Sequence, residues 1–251
     1  MYFDIIQSGS KGNCTLIFSN ETLIVIDAGV AISIVEEELA KFNKTLSDID
    51  AVLITHNHID HIRNVKSFSP KKIYALARTM PGSLSNVLEA FEPVTIKDIK
   101  VTAFPTSHDA NNPCGFMLED HISKLVYMTD TGVYLSSNTP LLKDPTYLII
   151  ESNHDIQKLL HTNRPMELIQ RILSDHGHLC NEDSAFASVE IIGEHTKEIV
   201  LAHLSEEANT PNLALEAYQK VFAYAHIDIN RYNLKCANQH VSLIGGDYHE
   251  H

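Results

Sequence analysis

The chain has 251 residues, 44% of them hydrophobic, which is enough for a sizeable core in one large domain or two small ones. Its 19 Lys and Arg against 32 Asp and Glu give a formal charge of −13, which excludes a broadly basic surface and requires any polyanionic substrate to meet a local source of positive charge. No run approaches the ~18 consecutive apolar residues of a membrane span, and Met1-Tyr2-Phe3-Asp4 has no basic region followed by an apolar stretch, so no membrane partner and a cytoplasmic location are expected.

In chain order, short apolar runs predict strands over 2–6, 14–18, 23–26, 51–55, 73–75, 101–104, 114–118, 125–128, 147–150 and 198–202. Amphipathic spacing predicts helices over 31–42, 83–90, 165–174, 181–193 and 211–224, with Pro165 at a first helical position and Thr210 as a cap. Strands crowd the first third and helices fall between later strands. That order points to an α+β chain with sheets covered by helices on their outer faces, rather than to an all-β sandwich. No repeat, low-complexity tract or linker interrupts residues 1–251, which predicts a single domain. Cys14, Cys114, Cys180 and Cys236 are far apart with no CxxC spacing, so neither a disulfide framework nor a thiolate zinc site is indicated. The chain is instead rich in histidine, with 15 residues and no tryptophan.

The continuously apolar 51–54 run leads directly into Thr55-His56-Asn57-His58-Ile59-Asp60-His61. In an extended segment residues two apart point the same way, so His56 and His58 can converge on one ion. A helical turn beginning at Asp60 would aim Asp60 and His61 at a neighbouring position, so one segment can serve two metals. Three exposed histidines in a polar loop are the alternative, but imidazoles and a carboxylate at these offsets after a buried strand favour metal.

His56-x-His58-x-Asp60-His61 resembles the HxHxDH signature of the metallo-β-lactamase-fold hydrolases. The resemblance implies a four-layer αβ/βα sandwich of two mixed sheets with helices on the outer faces. It also implies the remaining ligands, each just after a predicted strand: His108 after 101–104, Asp130 after 125–128 as a carboxylate shared by two ions, and His203 after 198–202. The implied sets are His56, His58 and His108 for one ion and Asp60, His61 and His203 for the other, with Asp27 supporting the ligand loop from behind. Further motifs resemble the YycJ/WalJ-type proteins of this family over almost the whole chain: Ser8 to Cys14, Glu151-Ser152-Asn153-His154-Asp155, Arg171 to Asp175 with Gly177-His178-Leu179, and Leu201 to Ser205 with Asn209-Thr210-Pro211. Cys180 stands where that subfamily has serine, and Ala208 where an asparagine is expected.

Imidazole and carboxylate donors without thiolate suit zinc or manganese, and iron as well. Two divalent ions a few ångströms apart can share a water and offer hydroxide to a phosphodiester or an acyl carbonyl. Asp60 belongs to that catalytic centre, and His154 and His178 are the candidates for protonating a leaving alkoxide or contacting phosphate, against the alternative that each only braces a loop. The YycJ/WalJ resemblance implies 5′-to-3′ exonuclease activity on DNA. Lys11, Arg63 and Lys66 are positioned to add positive charge beside the pocket. The competing readings are a hydrolase of a small thioester, lactone or related acyl substrate, and a non-catalytic metal-binding regulator. The latter is disfavoured by seven ligands arranged for two ions. Composition and motifs do not define an oligomeric state.

Overall fold

The computed structural model describes residues 1–80 and 84–248. Its elements in chain order are β1 (Tyr2–Gln7), β2 (Cys14–Phe18), β3 (Leu23–Ile26), α1 (Ile32–Lys41), β4 (Ala51–Leu53), α2 (Ile59–Ile62), β5 (Ile73–Leu76), β6 (Asn86–Leu88), β7 (Pro93–Ile96), β8 (Ile99–Pro105), β9 (Cys114–Glu119) and β10 (Lys124–Met128). There follow α3 (Thr139–Leu142), β11 (Tyr147–Glu151), α4 (Ile156–Leu160), α5 (Met166–Leu173), α6 (Asn181–Ile191), β12 (Glu198–Ala202), α7 (Pro211–Tyr224), β13 (Asn233–Cys236) and β14 (Leu243–Gly246). Seven strands form one mixed sheet in the order β14-β1-β2-β3-β4-β5-β6, and seven form another in the order β13-β12-β11-β10-β9-β8-β7.

Strand periodicity explains how these layers stack. Alternate residues of one strand face opposite sides of its sheet. Phe3, Ile17, Ile24 and Leu53 of the first sheet meet Val101, Phe116, Tyr127 and Ile149 of the second in one buried cluster. The other face of the first sheet, with Leu16, Val25 and Val52, packs on Val35 and Leu39 of α1. The far face of the second, with Met117, Val126, Leu148 and Ile199, packs on Ala185 and Ile191 of α6 and on Tyr218 and Phe222 of α7. The result is the expected α+β sandwich of four layers. Burying each such apolar side chain contributes ~1.5–3 kcal/mol, so the scaffold does not depend on the loops at the strand ends.

Those ends position the site. β3 and β4 are parallel, as are β10, β11 and β12, so within each sheet their C-terminal ends lie along one edge. β8 runs antiparallel to β9, and β9 to β10, which brings the end of β8 to the edge shared by β10, β11 and β12.

The structure corrects several element predictions. The segment expected as a helix over 83–90 carries β6, an edge strand pairing parallel with β5; Ser83 lies outside the described residues. With Val87 exposed, the segment offers no continuous apolar stripe to a helix-binding surface. Strand 51–55 ends at Leu53, and Pro165 is the cap of α5 instead of its first residue. Thr210 does cap α7, accepting from the backbone N–H of Leu213. Cys180 caps α6 in the same way, its Sγ accepting from Asp183 N–H, so the thiol occupies a position a serine hydroxyl would serve. Strands β7, β13 and β14 were not anticipated, and all three lie at or beside sheet edges where alternation is blurred by partial exposure.

One core residue is costly at neutral pH. Asp4, in the middle of β1, is fully buried on the side of α1, and no donor reaches either carboxylate oxygen. Burial, then the charge of the neighbouring Glu38, raises its pKa to about 7. The folded pKa lies above the unfolded value of ~3.9, so this group's contribution is fully favourable below that value and is lost as the pH rises through 7. Asp4→Asn is therefore expected to stabilise the protein at pH 8 by on the order of 3 kcal/mol, or roughly 6–12 °C in Tm, with the gain shrinking toward pH 5. Thermal denaturation at both pH values measures this, and an equal effect at the two would rule out a protonated Asp4.

Candidate metal centre

The HxHxDH segment leaves β4 in extended conformation and turns into α2 at Ile59, with His58 as the residue before the helix. That change of backbone splits the donors into two directions. The nearby loop packs closely: a Cβ on Gly29 would lie 1.5 Å from the Asp60 carbonyl oxygen, so no other residue fits there.

Four groups of donor atoms come together, each within 4.8 Å: His56, His58 and His108; His56, His61 and Asp130; Asp60, His61 and His203; and Asp130, Glu151, His178 and His203. All seven expected ligands are among them. His108 Nδ1 donates to the Gly177 carbonyl at 2.9 Å, which leaves Nε2 as a lone pair 3.3 Å from His58 Nδ1. Two nitrogens on one tetrahedral zinc with bonds of ~2.0–2.1 Å sit roughly that far apart. On the other side His61 Nε2 lies 3.3 Å from Asp130 Oδ2 and 3.6 Å from Asp60 Oδ2. Asp130 stands between the sets, with Oδ1 3.8 Å from His108 Nε2 and 3.7 Å from His203 Nε2.

The buried, unpartnered atoms test whether metal fits. His56 Nε2, His203 Nε2 and Asp130 Oδ2 are all buried without a hydrogen-bond partner. An orphaned acceptor costs ~1–3 kcal/mol or more, and these three point into the same cluster, as cation ligands would. His61 differs, since Asn13 Nδ2 reaches its Nε2 at 2.9 Å and an ion there would replace that bond.

Behind the donors stands a layer of hydrogen bonds that fixes ring orientation. Asp27, fully buried, accepts from His61 Nδ1 at 2.7 Å, from the Thr55 backbone N–H at 2.9 Å and from the Thr55 hydroxyl. Glu151, also fully buried, accepts from His203 Nδ1 at 2.9 Å, from His178 Nδ1 at 2.7 Å and from the Thr131 N–H. Ser8 Oγ accepts from the His203 N–H, and Asn13 braces the loop through Gly9 and Asp60. Glu151 and Asn13 had no assigned role from sequence. Glu151 ends the apolar run Tyr-Leu-Ile-Ile, and a carboxylate closing a buried strand was the signal available.

The electrostatics follow from this packing. Burial works to lower His61 and His203, but Asp27 and Asp130 around the first raise it to about 9, and Asp130 with Glu151 raises the second to about 10. Burial would raise Asp130 and Glu151, yet the surrounding histidines hold Asp130 well below the usual carboxylate range and Glu151 down at about 2. Burial lowers His56 far below its ordinary value, and lowers His108 as well. Two ionised, buried carboxylates ringed by imidazoles form a site prepared for cations.

The two proton-donor candidates separate. His178, bonded to Glu151, has its ring centroid 5.1 Å from that of His108 and 5.2 Å from that of His203, and is partly exposed. His154 belongs to none of the four donor groups. It lines a separate cavity of about 180 Å³ with Cys180, Asn181 and residues of α4 and α7, and both its ring nitrogens are buried without partners. Among the flanking cations, Lys11 Nζ pairs with Glu206 at 2.8 Å and Arg63 donates to the Lys11 carbonyl. Arg63 and Lys66 also line an apolar groove of about 530 Å³ with Ile59, Ile62 and Phe68 beside the ligand loop. His176 is exposed, and His249 and His251 lie outside the described residues. No described helix is long and apolar enough to cross a membrane.

A model of the beta-lactamase superfamily domain matches residues 22–203. The chain is 32% identical over 234 residues to the exodeoxyribonuclease YycJ of Bacillus anthracis, covering 88% of this chain and 89% of that one. It is 34% identical over 227 residues to the exodeoxyribonuclease WalJ of Streptococcus pneumoniae serotype 2, covering 84% of each. In three dimensions it resembles the metallo-beta-lactamase fold protein YhfI of Bacillus subtilis, with a TM-score of 0.71 at 16% identity over 97% of this chain and 99% of that one.

Proposed function

The chain belongs to the beta-lactamase superfamily and within it to the YycJ/WalJ type, and from that premise we propose that it is a metal-dependent phosphodiesterase, a 5′-to-3′ DNA exonuclease working with two divalent ions. The observation that carries this reading is the pair of donor sets on either side of Asp130, with buried nitrogens and a carboxylate oxygen lacking any other partner. The relatives named as exodeoxyribonucleases supply the substrate class. With DNA as substrate, the cytoplasm is the location that follows.

His56, His58 and His108 would hold one ion, and Asp60, His61 and His203 the other, with Asp130 shared. Divalent ions held there would supply positive charge to the phosphate oxygens and make a water nucleophilic near neutral pH. Asp27 and Glu151 keep His61 and His203 in the tautomer that offers Nε2 to the centre. The four carboxylates of Asp27, Asp60, Asp130 and Glu151 would also temper the positive charge brought by the ions. His178 is assigned the proton delivered to the leaving oxygen, since Glu151 takes its Nδ1–H and stabilises the ring when it is charged. His154 is unsuited to that task, because burial lowers its pKa to about 4 and leaves it neutral at working pH.

The test is to incubate the protein, loaded with zinc or manganese, with 5′-labelled duplex DNA, bis(p-nitrophenyl) phosphate and a panel of thioesters. Shortening of the DNA from its 5′ end is expected, stopped by a chelator, restored by added metal and absent in His58→Ala. Equal digestion by His58→Ala would mark a contaminant, and turnover confined to thioesters would move the protein to the acyl-hydrolase reading.

A further inference from the structure

Asp109 directly follows the ligand candidate His108 and is held where it can do more than pair with solvent. Its Oδ1 lies 3.5 Å from His108 Nε2 and 3.8 Å from His58 Nε2, and its backbone N–H donates to the His176 carbonyl at 3.1 Å. Arg171, near the end of α5, grips this carboxylate with two prongs: Nε donates to Oδ2, and Nη2 donates to Oδ1 at 2.9 Å. Of the five guanidinium N–H groups, two are thus committed and three remain, on a side chain that is 49% exposed.

The two segments bearing this pair are tied together at further points. Ser107 Oγ bonds His176 Nδ1 at 3.1 Å, and His108 Nδ1 donates to the Gly177 carbonyl. The fork on Asp109 keeps the Arg171 guanidinium on the side of the centre that carries His58 and His108. Its position differs from that of the other cations nearby. Lys11 is paired with Glu206 and Arg164 with Glu207, carboxylates that are themselves exposed. In a chain of net charge −13, a fixed guanidinium beside the donor cluster is the feature most suited to an anion extending past the reacting group.

We propose that Arg171, braced by Asp109, binds the backbone phosphate adjacent to the scissile one and so positions a nucleic-acid strand across the centre. The inference rests on the nuclease reading above and goes beyond it by naming the residue that recognises a polymer over an isolated phosphodiester. A planar fork with three free N–H groups matches two phosphate oxygens, which a lysine ammonium does not.

The experiment compares the parent, Arg171→Ala and Arg171→Lys on a 5′-labelled oligonucleotide over a range of salt concentrations and on bis(p-nitrophenyl) phosphate, with metal content measured for each. For Arg171→Ala the KM for the oligonucleotide is expected to rise about tenfold with kcat within about twofold. The logarithmic salt dependence should become shallower by about 0.7–0.9, the loss of one phosphate contact. Arg171→Lys should keep the salt dependence without recovering the affinity. Kinetics on bis(p-nitrophenyl) phosphate, which has no neighbouring phosphate, should match the parent in both variants, as should bound metal. A parent that cleaves DNA alongside an Arg171→Ala variant with unchanged KM and salt dependence would overturn the proposal. So would an equal loss on both substrates, which would make the pair a brace for the metal centre. A parent that hydrolyses the small diester and leaves DNA intact would overturn the nuclease reading, and this one with it.

Discussion

Asp130→Asn is expected to lower kcat/KM on any phosphodiester by on the order of 10³-fold or more and to reduce bound metal from two ions per chain to one or fewer. The reason is positional. Asp130 is the one donor whose two oxygens look in different directions, Oδ2 toward His61 and Oδ1 toward His108 and His203. On the two-ion reading, removing its charge would leave the five imidazoles of His56, His58, His61, His108 and His203 with Asp60 as the one remaining charged ligand of that set. Asparagine keeps the size and one oxygen and also tolerates the backbone, since Asp130 sits at φ +55° where few residues other than glycine and asparagine are comfortable. Loss of activity would thus report the charge and not a collapsed loop. Elemental analysis of the purified variant, with thermal denaturation in the presence and absence of chelator, provides the check. Two ions retained at full activity would overturn the bridging role proposed for Asp130.

The same backbone feature recurs around the centre. Asp27 at φ +62° and His203 at φ +56° are also left-handed, so three residues at strand ends hold a conformation that costs ~1–3 kcal/mol each. Asp27 and His203 follow directly on the buried strands β3 and β12, and Asp130 comes one residue after the end of β10. A left-handed residue at that point turns the chain sharply, so the side chain enters the shared edge while the backbone leaves it. Strongly packed sheets supply the stability that keeps the strained ends in place, which is why the site can be built almost wholly from positions just after strands.

That placement also explains what the sequence makes legible. His56, His58, Asp60 and His61 are four donors within six residues after an apolar run, and local spacing alone orients them. His108, Asp130 and His203 become readable through the family resemblance, because each is a single residue whose partners lie tens of positions away. Glu151 escaped assignment for the same reason: its meaning comes from His178 and His203, 27 and 52 residues further along. Asp109 and Arg171 are 62 residues apart, and nothing in either segment announces the pair. His154 and His178 look alike as motif histidines, and only packing separates a partly exposed ring on Glu151 from one enclosed among α4, α6 and α7. The sheet centres were legible because continuous burial leaves continuous apolar runs, whereas β6, β7 and β13 at the margins consist largely of exposed and half-buried residues that no period describes.

His178→Ala carries the second large expectation, and its value lies in a contrast between substrates. An alkoxide leaving from a DNA strand needs a proton as the bond to phosphorus breaks, and losing a positioned general acid costs ~10²–10⁴-fold in kcat. A p-nitrophenolate leaves without one, so on bis(p-nitrophenyl) phosphate the same variant should fall by no more than about tenfold. The donor geometry supports the substitution as a clean probe: His178 Nδ1 is held by Glu151 at 2.7 Å, while Glu151 keeps its separate bond to His203 when His178 is removed. Glu151→Gln is less selective, because it loosens a ligand candidate as well as the proton donor, and it should reduce turnover on both substrates together with bound metal. Equal losses on DNA and on the aryl diester in His178→Ala, with metal content unchanged, would show that the imidazole stabilises charge on the phosphate and delivers no proton. A loss confined to DNA, with kcat falling and KM held, would place the proton transfer on His178.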